Sequence, residues 1–598
     1  MPASKKPDLP SYRQPTCLAT AVINWQQWAA SAKNQQQPEV THLFLKQNNL
    51  PERWKHWHQQ RAFVMAEKGF GTGLNLLIAM DFFLKTAPAT ARLHWISTQT
   101  CPLTPEDLQK AHTFLPELAE YAALLQKNYP LAISGFHRLN LHPRVTVDLL
   151  LGDERINLNA VDAKIDAWCE TATQGIKKAS TVNQPATQKH SIAIIGAGLS
   201  GLCTAQALIK RGFKVAMYEE KVPAAGGSGN RQGALYIKLS VDANQSSRFY
   251  LAGLEYSRRW LEALDPKQQL WSPSGVLQLA ITEQEAKRQQ RFIATQNLPK
   301  TLVTAVDKTQ ASALAGSQTS AGGLFFSRTG WVTPKALCDH LAQTLDGLTL
   351  YPHQAVMDIN SHEKGWQLET AKGNQVYQQV IICCAAAAKR FTPSQWLPVK
   401  SVRGQVSYLA LDQSSANKPK VPFTVVCGKG YTLPPMDNTL CFGATFDSGD
   451  TNTAMSQVGQ QQNQQALDAI LPNLLTQLST NEPTSNSTGN PLNGRVSFRC
   501  AAPDHLPLVG RLPKLKAWQE NYRLTQAKVA VSDFPSEWQH LGLWLNIGHG
   551  SRGLTSIPIA AELLASQLAD DSAPFEKELV DCLNPARFIL RELRRKQD

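Results

Sequence analysis

The 598-residue chain has no run of about 18 apolar residues, so no membrane-spanning helix is expected. The opening stretch MPASKKPDLPSYRQ is basic but has no apolar core behind it, so it does not read as a signal peptide. Eleven cysteines are scattered singly, apart from Cys383–Cys384, and no C-x-x-C pair occurs. Neither a zinc site nor a disulfide framework is expected, no metal is called for, and a reducing, cytoplasmic setting fits best. No unit recurs at a fixed period, which excludes solenoids and propellers.

Acidic residues are the scarcer charge, 47 Asp and Glu against 60 Lys and Arg, a net charge of +13. That balance favours a polyanionic partner such as RNA, with a merely basic enzyme as the alternative. The content, 42% hydrophobic and 18% charged, is that of a globular chain.

The organisation reads as α/β throughout. Residues 1–170 form a first, partial unit, the polar stretch 171–190 a linker, and residues 191–598 a second unit. Each unit opens on a glycine turn between a strand and a helix. In FVMAEKGFGTGLNLL, Phe63 to Leu77, the glycines are Gly69, Gly71 and Gly73. Such a turn cradles a nucleotide-type cofactor.

The second turn is the fuller one. In SIAIIGAGLSGLCTAQALIKRGFKVAMYEE, four apolar residues (Ile192 to Ile195) make a buried strand. Gly196, Gly198 and Gly201 follow in G-x-G-x-x-G spacing. The first permits the tight turn, the second lets a pyrophosphate approach the backbone, and the third lets helix pack on strand. A short helix ends at Gly212, and Glu219 closes the next strand, where an acid accepts ribose hydroxyls. Strand, glycines, helix, strand and acid together mark a dinucleotide site, without separating NAD from FAD.

Later motifs separate them by resemblance. GGSGNRQGALY (Gly226 to Tyr236), RCAAPDHLPLVG (Arg499 to Gly510) and LWLNIGHGSRGLTSIPIAAELLA resemble the D-amino-acid-oxidase superfamily of FAD enzymes. The resemblance implies FAD held by Gly196, Gly198, Gly201, Glu219, Ser228 and Gly229, and by Gly548, Gly550, Gly553, Leu554 and Thr555 at a second helix start. More closely, SGNRQGALY, GGLFFSRTGWVTPKALC, VRGQVS and GYTLPP resemble the oxidoreductase half of the bifunctional family that makes 5-methylaminomethyl-2-thiouridine at the tRNA wobble position. One departure is Ala385–Ala386, where that family usually has Asn-Gly.

NNLPERW, EKGFGTGLNLL, PLTPEDLQKAH, LPELA and GFHRL resemble the same family's other half, an S-adenosylmethionine methyltransferase. Gly69, Gly71 and Gly73 would then face S-adenosylmethionine, and Gly152–Asp153 would match the adenine-side turn. Gln99 stands where the family has a ribose-binding acid. The strands expected after Glu170 are missing, on the order of 80 to 100 residues. The fourth strand should therefore be an exposed edge, and one sheet face should lose its cover. A remnant that no longer methylates is expected; the rival is a unit completed by another chain.

The expected fold is thus a partial Rossmann-like methyltransferase unit followed by a D-amino-acid-oxidase-like FAD domain with a mixed-sheet substrate subdomain. The resemblance implies removal of the carboxymethyl group from 5-carboxymethylaminomethyl-(2-thio)uridine at position 34. The partner is tRNA, with neither a membrane nor DNA. Arg499 is the first choice for the substrate carboxylate, Arg552 the second, and Tyr431 would close over the substrate. Lys238, Arg231 and Arg403 would meet tRNA phosphates. The alternatives are an oxidase of free glycine- or sarcosine-like amines and a non-catalytic tRNA-binding protein.

Overall fold

The computed structural model describes residues 43–152, 160–169, 191–411, 421–479, 492–522, 531 and 534–595. The expected linker, 171–190, and Asp153 lie outside them. The chain forms two compact units, one of residues 1–189, 210–212 and 562–580, the other of residues 190–209, 213–561 and 581–598.

The first unit is built on β1 (Phe63–Lys68), α1 (Leu74–Thr86), β2 (Leu93–Gln99), β3 (Gly135–His142), β4 (Val145–Leu151) and β5 (Ala167–Cys169). The sheet order is β3-β4-β2-β1-β5, with β3 antiparallel to β4 and the other pairs parallel. Parallel strands are covered on both faces, which is why β1 and β2 are buried along almost their whole length. On one face Phe63, Met65 and Trp95 pack with Leu76, Met80 and Phe83 of α1. Each such side chain contributes about 1.5–3 kcal/mol on burial.

The opposite face is not bare, contrary to the expectation for a truncated sheet. Val64, Ile96, Phe136 and Leu150 are covered by Ala160, Val161, Ala163 and Ile165. Beside them the cover is ionic and comes from residues 562–580. Arg138 is paired with Asp148 on β4 at 2.7 Å and donates to Glu562 at 3.2 Å, Ser566 Oγ at 2.9 Å and the Ser572 carbonyl at 2.7 Å. Arg211 bridges Glu562 and Asp571, and Arg92 also binds Asp571. Burial alone would raise the Asp148 carboxyl, but Arg138 and His94 hold it at about 2. Strand β5 is the sheet edge, yet Ala167 and Cys169 are both buried.

The second unit has a six-stranded sheet of β6 (Ile192–Ile195), β7 (Val215–Tyr218), β8 (Leu348–Tyr351), β9 (Gln379–Ile382), β10 (Leu508–Pro513) and β11 (Gln539–Ile547). The order is β8-β7-β6-β9-β11-β10, parallel except for β10. Helix α2 (Leu199–Ile209) joins β6 to β7, and α3 (Gly553–Ala569) follows β11. A nine-stranded mixed sheet stands apart from this one. Its longest pairing is the antiparallel ladder of Lys400–Ala410 with Asn493–Ala501, which sets Arg499 opposite Val402 and Ser497 opposite Gly404. Among the described residues no helix is long and apolar enough to cross a membrane.

Candidate active site

In open parallel sheets a crevice opens at the carboxyl ends of the strands where the strand order reverses. Here β6 and β9 lie side by side while their connections run to opposite sides, and a cavity of about 1240 Å³ opens at that end. It exceeds the ~300–1,000 Å³ of a typical single-ligand pocket, so a dinucleotide and a substrate group fit together.

Gly196, Gly198 and the start of α2 line it. Gly196 has φ 104°. A Cβ at Gly198 would sit 3.2 Å from Ser228 Oγ, and one at Gly201 would collide with the Gly196 carbonyl. Gly201 is therefore a packing residue behind the cavity. Glu219 lines the cavity; its carboxylate accepts from the Ala197 amide at 2.8 Å and the Lys221 amide at 3.0 Å. Ser228 also lines it and accepts from the Leu199 amide at 2.9 Å. Gly229 lies just behind, where a Cβ would meet the Ala224 carbonyl and Arg495, both at 2.5 Å.

At the other end, Gly548, Gly550, Gly553 and Leu554 line the cavity where α3 begins. Thr555 does not reach it: the side chain is buried and donates to the Tyr236 carbonyl at 2.9 Å. These two helix starts, with glycines wherever backbone must come close, fit a dinucleotide with a pyrophosphate. Ala385 also lines the cavity, with φ 56°, a left-handed conformation that Asn or Gly holds more easily.

Arg499, on the mixed sheet, lines the cavity. It donates to the Thr445 carbonyl at 3.1 Å, and among the described residues no carboxylate pairs with it. A Cβ on Gly404 would lie 2.7 Å from its Cζ, so the glycine makes room for the guanidinium. Tyr431 lines the same region, and burial pushes its hydroxyl well above the ordinary tyrosine range. It is a proton-holding donor at any ordinary pH. Arg552 does not line the cavity; its guanidinium stacks 4.7 Å from the Tyr250 ring. This placement does not support the expected role of a second carboxylate anchor, since the Tyr250 ring on another helix lies against it. His549 is buried with both ring nitrogens engaged, Nδ1 with Ser556 and Nε2 with Asn546, and burial lowers it to about 3.

Arg403 was expected to meet phosphates but is 2% exposed, paired with Asp447 and Asp450 at 3.4 Å each. Lys238 and Arg231 are exposed and pair with Glu285 and Asp437. The sequence reading also missed Gly404, Phe446 and Arg495. Arg495 ties the 225–230 loop through Asn230 Oδ1 and the Ala225 and Gly226 carbonyls. A glycine inside the strand segment VRGQVS was the available signal for Gly404.

In the first unit the turn survives, with φ 81°, 56° and 78° at Gly69, Gly71 and Gly73, and φ 116° at Gly152. Gln99 is locked across it. Its Oε1 accepts from the Gly71 amide at 3.0 Å and its Nε2 donates to the Cys101 carbonyl at 2.6 Å. Glu67 turns inward, bonded by Asn75, Trp95 and Ser97, and burial raises it to about 7. Cys101 is disulfide-bonded, which the scattered cysteines did not suggest.

The strand order, the glycine turns and the cavity define a dinucleotide site, and residues 191–567 match the family described as FAD dependent oxidoreductase, so the second unit is an FAD-dependent oxidoreductase. Residues 116–171 match a second family, the S-adenosyl-L-methionine-dependent methyltransferases. A relative from Chromohalobacter salexigens, named tRNA 5-methylaminomethyl-2-thiouridine biosynthesis bifunctional protein MnmC, is 36% identical over 628 aligned residues, covering 93% of this chain and 89% of its own. An MnmC from Stutzerimonas stutzeri is 34% identical, covering 93% of each. The chain belongs to the MnmC family. Among solved structures, glycine oxidase from Geobacillus kaustophilus shares the fold, with TM-score 0.54 and 21% identity over 67% of this chain and 99% of its own.

Proposed function

We propose that this protein removes the carboxymethyl group from 5-carboxymethylaminomethyl-(2-thio)uridine at the tRNA wobble position. Hydride loss from the carbon between nitrogen and carboxylate leaves an imine, which water hydrolyses to 5-aminomethyl-(2-thio)uridine and glyoxylate, and the setting is the cytoplasm. The observation that carries this reading is Arg499, a cation without an anionic partner among the described residues, set in a dinucleotide cavity of an MnmC-family chain. Residues 191–598 are assigned to the oxidoreductase, 1–170 to the methyltransferase-like part and 171–190 to a linker.

FAD, when bound, supplies the hydride acceptor for oxidation of the carbon–nitrogen bond. Gly196, Gly198, Glu219, Ser228, Gly548, Gly550, Gly553 and Leu554 would hold it, with Gly201 and Gly229 giving the close packing behind. Arg499 would bind the substrate carboxylate in a charge-assisted, bidentate pair and fix the reacting carbon. Tyr431, kept protonated by burial, would donate a hydrogen bond beside it. His549 is neutral and doubly bonded, so it holds the 546–556 turn rather than acting as a base.

We further propose that methylation is impaired. The supporting observation is Gln99, whose amide occupies the Gly71 amide and lacks the charge of a ribose-binding acid. Nucleoside mass spectrometry tests both parts. A tRNA carrying the carboxymethylaminomethyl group is incubated with the FAD-loaded protein, with and without S-adenosylmethionine. A product stopping at aminomethyl in both supports the proposal. An unaltered tRNA overturns the first part, and a methylaminomethyl product overturns the second.

A further inference from the structure

Phe446 is 64% exposed, an unusual place for a phenyl ring, and it lines the oxidoreductase cavity. A single apolar residue on a surface needs no explanation. This one differs in being held out rigidly. On one side of it the Thr445 amide donates to the Gln405 carbonyl at 3.1 Å, and the Thr445 hydroxyl accepts from the Gln405 amide. On the other side Asp447 pairs in register with Arg403 of the strand Lys400–Ala410. The backbone around Phe446 is thus pinned at both neighbours while its ring stays in solvent.

Its surroundings point to the occupant. The Arg499 guanidinium lies 5.6 Å from the ring centroid. Lys429, exposed and without a partner among the described residues, lines the same cavity. It sits two residues before Tyr431, which pairs with Gly443 at the start of the segment leading to Phe446. A fixed aromatic face beside unpaired cations is how single-stranded nucleic acid is held, because every base offers a π-face and every linkage a negative charge.

We propose that Phe446 is the stacking platform for the wobble uracil, with Lys429 beside it for the adjoining phosphate. This rests on the proposed function above. The arm joining uracil to its carboxylate is short, so a carboxylate held by Arg499 keeps the ring close to Phe446. An anticodon loop presents that base unpaired, so no duplex has to be opened. Phe446 thereby selects a nucleotide-borne amine over a free amino acid: glycine or sarcosine can reach Arg499 but has nothing to lay on the ring.

The test uses FAD-loaded full-length protein and a fluorescent anticodon stem-loop RNA, with binding followed by anisotropy. In parallel, kcat and KM are measured on the modified tRNA. Phe446→Ala should weaken stem-loop binding and raise KM about 5- to 150-fold, the equivalent of ~1–3 kcal/mol per stacked base. The flavin absorbance should remain, and Phe446→Trp should restore both values. Wild-type binding with Phe446→Ala unchanged overturns the platform alone. A loss that Trp does not restore also overturns it, since stacking is then not the cause. A wild-type protein that ignores RNA removes the underlying function, and the platform with it.

Discussion

Replacing Arg499 by Ala removes the cation from the cavity while leaving its cofactor lining intact. Arg499 touches the protein at few points: it bonds the Thr445 carbonyl at 3.1 Å, lies against Gly404, and stands 5.6 Å from the Phe446 ring. Truncation therefore leaves no buried carboxylate stranded, and the fold should lose little. The substrate carboxylate, by contrast, loses a bidentate, charge-assisted partner. That loss is about 2–4 kcal/mol of transition-state binding, or roughly 30- to 700-fold in kcat/KM. The assay is single-turnover demodification of tRNA followed by nucleoside mass spectrometry, with the flavin spectrum as the check on cofactor loading. Arg499→Lys should recover only part of the loss, because an ammonium cannot form the planar fork. Gly404→Ala should mimic a partial loss, since its Cβ would displace the guanidinium. Unchanged turnover in Arg499→Ala with full flavin would refute the assignment.

Four further outcomes concern stability. Ala385 holds φ 56°, so Ala385→Gly should stabilise the flavin-loaded protein by about 1 kcal/mol in urea unfolding followed by flavin fluorescence; a lower midpoint would contradict this. Glu67 has its carboxyl raised from 4.5 to about 7 by burial, so its contribution is complete below pH 4.5 and is lost as pH rises through 7. The swing is on the order of 3 kcal/mol, and Glu67→Gln should flatten the pH dependence of hydrogen-exchange protection in β1 and β2. An equally steep profile in the variant would rule Glu67 out as its source. Arg138→Ala strands Asp148 and should cost about 3–5 kcal/mol, read as lost amide protection in β4. Asp148 itself, held at about 2 rather than 3.8, adds stability above about pH 4 that fades as pH falls toward 2. Undiminished protection would show that the cluster does not close the sheet.

Both glycine turns were legible because their signals are local: strand, turn and helix follow within a few residues, and left-handed φ selects glycine. Arg499 was legible from its motif only as far as its place in the cavity lining. Its neighbour Gly404 was not, because only the pairing of Lys400–Ala410 with Asn493–Ala501 brings them together. The contact of Arg552 with the Tyr250 ring was hidden for a similar reason, since that ring lies on a remote helix, Gln245–Leu264. The closure of the first unit was hidden most deeply. Arg138 meets Glu562 across 424 residues of sequence, and a count of expected strands carries no trace of that contact.

The same contact explains why a shortened sheet can persist whether or not it still serves a cofactor. In β6–α2–β7, Glu219 presents a carboxylate at the cavity and takes two backbone amides. In β1–α1–β2, Gln99 stands at the matching strand end, but an amide both accepts and donates. It is satisfied at once by the Gly71 amide and the Cys101 carbonyl. Nothing in that exchange disturbs the sheet, whose apolar face rests on α1 and whose other face is held partly by Arg138, Asp148, Glu562 and Arg211. Cofactor affinity and fold stability therefore rest on different side chains in this unit. Gln99→Glu should accordingly raise affinity for S-adenosylmethionine in calorimetric titration while leaving β4 protection unchanged. A parallel change in both would show that the turn and the ionic cover are coupled.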